Sequence, residues 1–355
     1  MQGELSGGKV IVAGSEANIL GKGYGRKKGR LELSLEEAAF LLETSKIEIK
    51  GEEEEKELNL VDFLKHALDI SPKFGVRYIV YKDLKERGYV VQPGGVDFWL
   101  YPRGAKPGEK PARYFIHILS ERDFFPLKEL DTLLISARNM RKEPILAVVD
   151  EESDITYYEV KEARFEFIEQ EKERKKKSEK AKASLLGDRV ILWDANLAEN
   201  LYRNNFYGKL TKEKRLLLSL VEAAYLMKRG QLEIELNAQH PPKPLNFEQF
   251  IDYASSIESD FMDKYAVYVD LRGKGLIVKT GFKFGSHFRV YKAMKQKHSS
   301  YLIHVLPEEH VFSMSELSRA VRLAHGVKKR MIFSFKEKVG EESFIKYVDV
   351  GRMKL

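Results

Sequence analysis

The chain has 355 residues and a net charge of +7, and its 43% hydrophobic content is enough to build two packed domains. It contains no cysteine, which excludes disulfides, thiolate zinc sites and cysteine nucleophiles. No apolar run approaches the ~18 residues that a membrane helix needs, and the N-terminal sequence lacks a signal pattern. A soluble, cytoplasmic protein with no membrane partner is therefore expected.

The first strong helix signal lies at Ser34, because Glu37 three residues later completes a capping box. A second amphipathic helix is predicted over residues 60–68. A third, in YIVYKDLKERG (residues 78–88), ends at Gly88, since glycine readily adopts the left-handed conformation that follows a helix. The pattern then becomes strand-like.

The same elements return later in the chain. SLEEAAFL (residues 34–41) recurs as SLVEAAYL (219–226) and YIVYKDLKERG recurs as YAVYVDLRGKG (265–275), at offsets of 185 and 187. Such a long period indicates a duplicated domain and not a solenoid. The second copy continues with strand-like segments and one more helix: LIVKTGFKF, HFRVY, YLIHVL, MIFSF and FIKYVDV, with the helix at residues 315–326.

The sequence therefore predicts an α/β fold, a tandem duplication of a two-part α/β unit with mixed sheets. Residues 169–184, EQEKERKKKSEKAKAS, have many charges of both signs and almost no apolar side chain, so they cannot pack a core. We expect a linker there, which could be helical. A basic arm for nucleic acid is the alternative, and the interspersed glutamates count against it.

Positive charge is concentrated in residues 281–330, which contain ten Lys or Arg against three Glu. This excess equals that of the whole chain. The window opens with GFKFGSHFRVY (281–291), in which aromatic and basic residues are interleaved. Such a pattern is typical of a nucleic-acid surface, and Lys283 and Arg289 are expected to contact phosphates.

The two copies differ where side chains could do chemistry. The aligned pairs are Tyr291 with Tyr101, His298 with Pro111, Arg322 with Ile135, and Lys329 with Lys142. The first copy keeps the scaffold without the histidine and arginine, which favours one working and one structural copy over drift at surface positions. The predicted division is a degenerate, non-catalytic repeat at 1–168, a charged linker at 169–187 and a catalytic repeat at 188–355.

Tyrosine, histidine and lysine together suit phosphoryl transfer on RNA. The ribose 2′-OH is a built-in nucleophile. A base for its proton, an acid for the leaving 5′-oxygen and a cation for the charged phosphorane are then sufficient, with no metal or cofactor. DNA lacks the 2′-OH and is not an expected substrate or partner.

The motifs GFKFGSHFRVY, HSSYLIHV and SRAVRLAHGVKKRMIFSF closely resemble those of archaeal tRNA-splicing endonucleases (tRNA-intron lyases), and the resemblance covers nearly the whole chain. The layout is similar to the homodimeric two-repeat form, with a nuclease-like C-terminal part in each unit. The resemblance implies metal-independent cleavage of precursor tRNA at the intron boundaries of a bulge-helix-bulge motif. The products would carry 2′,3′-cyclic phosphate and 5′-OH ends.

The resemblance also implies roles for individual residues. Tyr291 would be the general base, His298 the general acid and Lys329 the stabiliser of transition-state charge. Arg322 and Arg352 match two arginines that sandwich a flipped-out base, a role that suits planar, charged guanidinium groups.

A further implication of the resemblance is a homodimer. The loop DEESDIT (150–156) is similar to an acidic loop of the non-catalytic repeat that docks into a basic pocket of the partner's catalytic repeat. Its acidic residues are Asp150, Glu151, Glu152 and Asp154. A dimer with C2 symmetry would then carry two active sites.

Two further histidines lie near these motifs. At His287 the family tends to have an acidic residue; we expect this imidazole to lie in solvent, the alternative being an effect on the pH optimum. His304 shares a strand face with His298 and is a second candidate for the acid. The first copy keeps His117 at the His304 position, which favours a structural role for His304.

Two other functions stay open. A non-catalytic RNA-binding or assembly subunit could retain the fold, although the intact Tyr291, His298 and Lys329 count against it. A metal-dependent DNA nuclease would need a carboxylate cluster near the basic window, and the sequence has none there. The five histidines between residues 287 and 325 have no metal-binding spacing such as HExxH, so no metal site is expected.

Overall fold

The computed structural model describes residues 1–13, 23–28, 30–51, 57–94, 96–105, 107–165, 180–236, 243–292 and 298–355. They form two compact units. Unit 1 comprises Met1–Lys161, Val311–Leu317 and Arg352–Leu355, and unit 2 comprises Glu162–His310 and Ser318–Gly351. Each unit corresponds to one repeat except at three places: two short segments of the second repeat belong to unit 1, and the end of the first repeat, from Glu162, belongs to unit 2.

The N-terminal part of unit 1 is a six-stranded mixed sheet with two helices. The elements are β1 (Gln2–Ser6), β2 (Lys9–Val12), β3 (Arg26–Lys28), β4 (Arg30–Ser34), α1 (Leu35–Glu43), β5 (Glu48–Lys50), β6 (Glu57–Leu58) and α2 (Leu60–Ile70). The sheet order is β3-β4-β2-β1-β5-β6, with β1 antiparallel to β2 and parallel to β5. Phe63 and Ala67 of α2 are buried in the core shared with this sheet.

The C-terminal part of unit 1 holds the second sheet. Its elements are α3 (Phe74–Glu86), β7 (Val91–Pro93), β8 (Phe98–Leu100), β9 (Tyr114–Ser120), β10 (Phe124–Pro126), α4 (Leu127–Met140), β11 (Glu143–Val149) and β12 (Ile155–Glu162). The strands run β12-β11-β9-β8-β7, with β11 parallel to β9 and antiparallel to β12.

The first part of unit 2 repeats the first sheet. Its elements are β13 (Ala181–Leu186), β14 (Arg189–Leu192), α5 (Ala195–Asn205), β15 (Lys209–Leu210), β16 (Leu216–Ser219), α6 (Leu220–Lys228), β17 (Leu232–Leu236), β18 (Lys243–Pro244) and α7 (Phe247–Ile257). The order β15-β16-β14-β13-β17-β18 matches that of the first repeat.

The remaining elements belong to the C-terminal part of the second repeat. They are α8 (Phe261–Gly273), β19 (Ile277–Thr280), β20 (Phe288–Tyr291), β21 (Tyr301–Val305), β22 (Val311–Ser313), α9 (Met314–Gly326), β23 (Arg330–Val339) and β24 (Glu342–Met353). In unit 2 the strands run β19-β20-β21-β23-β24, with β21 and β23 parallel. Strand β22 belongs to unit 1, where it pairs with β10.

The predicted class and duplication are confirmed. Ser34 and Ser219 cap α1 and α6, each with the complete capping box. Gly88 and Gly275 follow α3 and α8 with φ values of +82° and +79°, as the C-terminal glycine signal predicted.

Two local expectations differ from the structure. Strand β13 (Ala181–Leu186) lies inside residues 169–187, the segment assigned to the linker, because Ala181, Ala183 and Leu185 are buried in the core of the second repeat and the strand completes its sheet. Residues 169–179 of that linker lie outside the described residues. The strand predicted through LIVKTGFKF ends at Thr280, and Phe282–Phe284 form a 3-10 turn instead.

Candidate active site

The predicted catalytic residues lie at one end of the sheet in unit 2. Val290 is paired with Tyr301, and Tyr301 with Arg330, so the residues one step further out are Tyr291, Ser300 and Lys329. They form one row across β20, β21 and β23. Since neighbouring strands lie ~4.8 Å apart, the backbones of Tyr291 and Lys329 are about 10 Å apart, a gap that long side chains can span.

The row lies on the sheet face opposite the main core of unit 2. Phe288 and Val290 of β20 are buried in that core. Side chains alternate along a strand, so Tyr291 projects from the other face. His298 is two residues before Ser300 in the segment that leads into β21, which brings it to the same end of the sheet.

The three side chains differ in exposure. Tyr291 is half-buried and His298 is exposed, and neither side chain has a hydrogen-bond partner among the described residues. Lys329 is half-buried, and its Nζ donates a hydrogen bond to the carbonyl oxygen of Ser299 at 2.6 Å. The tyrosine and histidine are therefore available to a substrate, whereas the lysine is held in place by the backbone beside His298.

The first repeat is an internal control for this geometry. Lys142 donates to the carbonyl oxygen of Ala112 at 2.6 Å, the same bond that Lys329 makes. Tyr101, in contrast, is buried, and its hydroxyl donates to Gln92 Oε1 at 3.0 Å. Burial raises the pKa of Tyr101. The anchored lysine is thus common to both repeats, and the accessible tyrosine and histidine belong to the second.

The two cations predicted to contact phosphates have different environments. Lys283 is exposed in the 3-10 turn. Arg289 is half-buried on the same face as Tyr291, with its guanidinium carbon 5.9 Å from the centre of the Phe284 ring. Its Nε is buried and has no hydrogen-bond partner in the described part of the chain.

The expectation that His287 lies in solvent is wrong. Its side chain is only 24% exposed, its Nδ1 accepts a hydrogen bond from the Val305 amide at 2.9 Å, and its ring stacks on His304 at 4.4 Å. Burial and the neighbouring His304 and Lys264 lower the pKa of His287 to about 4, although Asp260 at 3.6 Å opposes this shift. The imidazole is therefore neutral at physiological pH.

An aspartate occupies the equivalent position in the first repeat. Asp97 Oδ2 accepts a hydrogen bond from the Ile118 amide at 2.9 Å and lies 3.1 Å from His117 Nδ1, while its other oxygen pairs with Arg77. Burial raises the pKa of Asp97, but the hydrogen bonds with His117 and the Ile118 amide, together with the charge of Arg77, outweigh it and lower the pKa. One backbone amide is therefore bound by a carboxylate in one repeat and by an imidazole in the other.

The predicted pair of arginines belongs to separate units. Arg322 is exposed on α9 in unit 2. Arg352 is exposed in unit 1, where it lines a pocket of about 580 Å³ together with Asp83, Asp150 and Asp154. Their joint action on one base stays a prediction.

The predicted acidic loop is an ordered, exposed turn between β11 and β12. Asp150 Oδ1 accepts hydrogen bonds from the amides of Glu152 and Asp154, at 3.0 and 2.8 Å. Glu151 forms an ion pair with Arg122 at 2.5 Å. The side chains of Glu152 and Asp154 are also exposed, and their carboxylates have no partner among the described residues.

Within the described ranges, no three His, Asp or Glu side chains are close enough together to hold a metal ion. None of the helices in that part of the chain is long and apolar enough to cross a membrane.

Comparison with known proteins identifies the family. The model of the tRNA intron endonuclease catalytic C-terminal domain matches residues 74–157 and again residues 261–347, and the N-terminal domain model matches residues 1–64 and 181–251. The chain belongs to the tRNA intron endonuclease family. Its two repeats each contain both family domains, and the second catalytic match includes Tyr291, His298 and Lys329 but ends before Arg352.

Relatives in this family are similar along their whole length. A tRNA-splicing endonuclease of Methanosarcina barkeri is 46% identical over 100% of both chains, and one of Methanococcoides burtonii is 45% identical over 100% of both. A tRNA-splicing endonuclease of Haloarcula marismortui is 34% identical over 98% of both chains. The similarity therefore includes the duplication and not only one repeat.

One exposed residue was not singled out from the sequence. Phe282 is 91% exposed at the 3-10 turn of GFKFGSHFRVY. The signal that could have found it is a length difference between the repeats. Seven residues (281–287) separate the paired Thr280 and Phe288, whereas four (94–97) separate Pro93 and Phe98.

Proposed function

We propose that the protein is a tRNA-splicing endonuclease that cuts precursor tRNA at the intron boundaries of a bulge-helix-bulge motif. Full-length similarity to tRNA-splicing endonucleases supports the substrate. The observation that carries the chemistry is the row of Tyr291, Ser300 and Lys329, with His298 two residues before Ser300. This backbone register supports a shared site for the three side chains.

In the proposed reaction Tyr291 takes the proton of the ribose 2′-OH, and the 2′-oxygen attacks the adjacent phosphorus. The bond between phosphorus and the 5′-oxygen breaks, and His298 donates a proton to the departing oxygen. Lys329 stabilises the extra negative charge on the phosphorane. The products are a 2′,3′-cyclic phosphate and a 5′-OH, and no metal ion takes part.

RNA binding is proposed for the cations near this row. Lys283 is exposed to contact a phosphate, and Arg289 lies two residues from Tyr291 on the same strand face. Arg322 and Arg352 would hold a flipped-out base between their guanidinium planes. Unpaired bulges suit this mode because proteins read splayed bases more readily than the deep groove of A-form RNA.

A homodimer completes the proposal. The exposed carboxylates of Glu152 and Asp154 in the non-catalytic repeat would dock onto basic residues of a second copy, while Asp150 and Glu151 shape and support the loop. Charge complementarity of this kind fixes the register of an interface more than its strength. With C2 symmetry, two catalytic repeats would serve the two intron boundaries.

The test is cleavage of an intron-containing precursor tRNA in excess EDTA, with a polyamine to support the RNA fold and with analysis of the product ends. Cutting at both bulges with cyclic-phosphate ends is expected. A requirement for a divalent ion that the polyamine cannot replace would reject the mechanism. Tight binding of the RNA without any cutting would favour the alternative, a non-catalytic RNA-binding or assembly subunit.

A further inference from the structure

The turn between β19 and β20 presents an aromatic ring to solvent. Phe282 is 91% exposed, more than any other large hydrophobic residue in the described part of the chain. Water solvates such a ring poorly, so its burial against a bound ligand would be favourable. The next residue, Lys283, is also exposed.

The turn that carries this ring is held rigidly. Gly281 N donates to the carbonyl oxygen of His287 at 2.8 Å, and the amides of Phe284 and Gly285 close the 3-10 turn at 2.7 and 3.1 Å. A Cβ on Gly281 would lie 2.3 Å from Ser286 Oγ, so only glycine fits there. Phe282 is thus displayed on a preorganised turn, and little conformational entropy is lost when a ligand stacks on it.

The turn also contacts the helix that carries a predicted RNA-binding residue. Gly285 adopts φ +65°, and a Cβ at this position would lie 2.9 Å from Leu323 Cδ1 of α9. Leu323 follows Arg322 and is itself 49% exposed. An exposed ring, an exposed leucine and two exposed cations, Lys283 and Arg322, therefore lie on neighbouring parts of unit 2.

The sequence of the first repeat lacks this turn. Its corresponding turn, residues 94–97, is three residues shorter and has neither the phenylalanines nor the lysine. Asp97 is the last residue of that turn, and its carboxylate accepts a hydrogen bond from the Ile118 amide. The aromatic, basic turn is therefore an addition confined to the repeat that holds His298, which points to a ligand of that repeat and not to a need of the fold.

We propose that Phe282 is a stacking platform for an unpaired base of the RNA substrate, with Lys283 binding the phosphate beside that base. Aromatic rings bind unpaired bases through their π faces with little sequence preference. The turn is at the end of the hairpin opposite Tyr291, and Phe288 and Tyr291 are about 10 Å apart along the strand. The stacked base is therefore a neighbour of the scissile position and not the attacked nucleotide.

This inference rests on the proposed function, and its test uses the full chain with an uncleavable RNA. The probe is a bulge-helix-bulge RNA with 2′-deoxyribose at the cleavage sites and 2-aminopurine in the bulges. Phe282→Ala should weaken binding about 5- to 100-fold and reduce the quenching of 2-aminopurine. Phe282→Trp should preserve both. An RNA whose bulges are closed by base pairing should bind wild type and Phe282→Ala equally.

Two further variants separate stacking from other effects. Phe282→Leu keeps an apolar side chain without a π face and should bind as weakly as Phe282→Ala. Phe124→Ala removes a phenylalanine that is 72% exposed in unit 1 and should bind as wild type does. Wild-type affinity and quenching in either Phe282→Ala or Phe282→Leu would overturn the proposal, once thermal melting shows that the variant is folded.

Cleavage assays of the wild-type protein distinguish a failure of this inference from a failure of the proposed function. If it cuts precursor tRNA but its RNA binding does not depend on Phe282, the stacking platform is rejected and the endonuclease stands. If it never cuts, yet Phe282→Ala releases the bulge base, the endonuclease is rejected and base stacking stands.

Discussion

At the scale of single residues, the duplication supplies matched pairs that can separate a proposed catalytic role from a structural one. Lys329 and Lys142 each donate one hydrogen bond to a backbone carbonyl oxygen, both at 2.6 Å. Replacing either with alanine removes that bond, which is worth about 1 kcal/mol of folding stability. We expect Lys329→Ala to slow single-turnover cleavage about 10²- to 10³-fold, because it also removes the charge that stabilises the phosphorane.

Lys142→Ala is the matched control and should cut at the wild-type rate. Thermal unfolding of both variants checks that they lose similar stability. Equal rates of cleavage in the two variants would show that Lys329 is a structural residue, like its counterpart.

His298 can be tested by changing the leaving group. His298→Ala should slow cleavage about 10²- to 10⁴-fold, because the departing 5′-oxygen loses its acid. A substrate with sulfur in place of that oxygen should restore the rate, since a thiolate is a much weaker base and leaves without a proton. Lys329→Ala should not be restored by sulfur. A His298→Ala variant that stays slow on the sulfur substrate would assign His298 to another role.

His287 makes folding stability sensitive to acid. The unfolded imidazole gains a proton near pH 6.5, whereas the folded one does so only near pH 4. Between these values the unfolded state binds more protons, so stability is full above about pH 6.5 and falls as the pH drops towards 4, by at most ~3 kcal/mol. The groups that face His287 are His304, Asp260 and Lys264.

His287→Asp restores the acidic residue found at Asp97 and should remove this loss between pH 6.5 and 4. Urea unfolding at several pH values measures this loss of stability. His325→Gln, at an exposed position of α9, is the control. Its free energy of unfolding should depend on pH as that of the wild type does. If the free energy of unfolding of His287→Asp falls with pH as much as that of the wild type, a group other than His287 causes the acid sensitivity.

The sequence nominated candidate residues but did not predict their surroundings. Tyr291, His298 and Lys329 were nominated because their chemistry fits RNA cleavage, because one repeat could be compared with the other and because the motifs resemble a known family; their catalytic roles stay a prediction. The burial of His287 was missed, since it depends on His304 and Asp260, which are distant in sequence. A single sequence does not encode such contacts in any local pattern.

At the scale of elements, capping signals were reliable and the aromatic hairpin was not. The capping boxes at Ser34 and Ser219 are local hydrogen bonds between residues three apart, so the sequence predicts them directly. The strand expected through LIVKTGFKF ends early because Gly281 and Gly285 form a tight turn. Aromatic residues favour strands, but here Phe282 is displayed on that turn.

The phosphate contact proposed for Lys283 of this turn can be tested by the salt dependence of RNA binding. Lys283→Ala should weaken RNA binding and reduce the slope of log K against log salt by about 0.7 to 0.9, because one phosphate contact no longer releases a counterion. Phe282→Ala carries no charge change and should keep the wild-type slope. Lys110→Ala, an exposed lysine of the first repeat, is the charge-matched control. An unchanged slope in Lys283→Ala would reject the phosphate contact.

At the scale of the whole molecule, the duplication was visible because identical motifs recur at nearly constant offsets. The limits of the units were less predictable. Val311–Leu317 and Arg352–Leu355 are part of the second repeat in sequence and part of unit 1 in space. Strand β22 pairs with β10 through backbone hydrogen bonds, which leave no pattern in the side chains.

The acidic loop gives the prediction for assembly. Glu152 and Asp154 are exposed and have no partner among the described residues, whereas Asp150 and Glu151 are already used within unit 1. Reversing these two charges, Glu152→Lys with Asp154→Lys, should therefore dissociate a homodimer in sedimentation velocity without unfolding the chain. Like charges would then face the basic surface of the partner, and such juxtaposition is strongly unfavourable.

The control reverses the same amount of charge at another exposed turn, Glu341→Lys with Glu342→Lys, and should leave the dimer intact. A variant in which only Glu151→Gln breaks the pair with Arg122 should have an intermediate effect, because it loosens the loop and leaves the carboxylates of Glu152 and Asp154 in place. If both double variants sediment like the wild type, the loop does not hold the assembly. If the monomeric double variant still cuts precursor tRNA at both bulges, each catalytic repeat works alone and the dimer serves only stability.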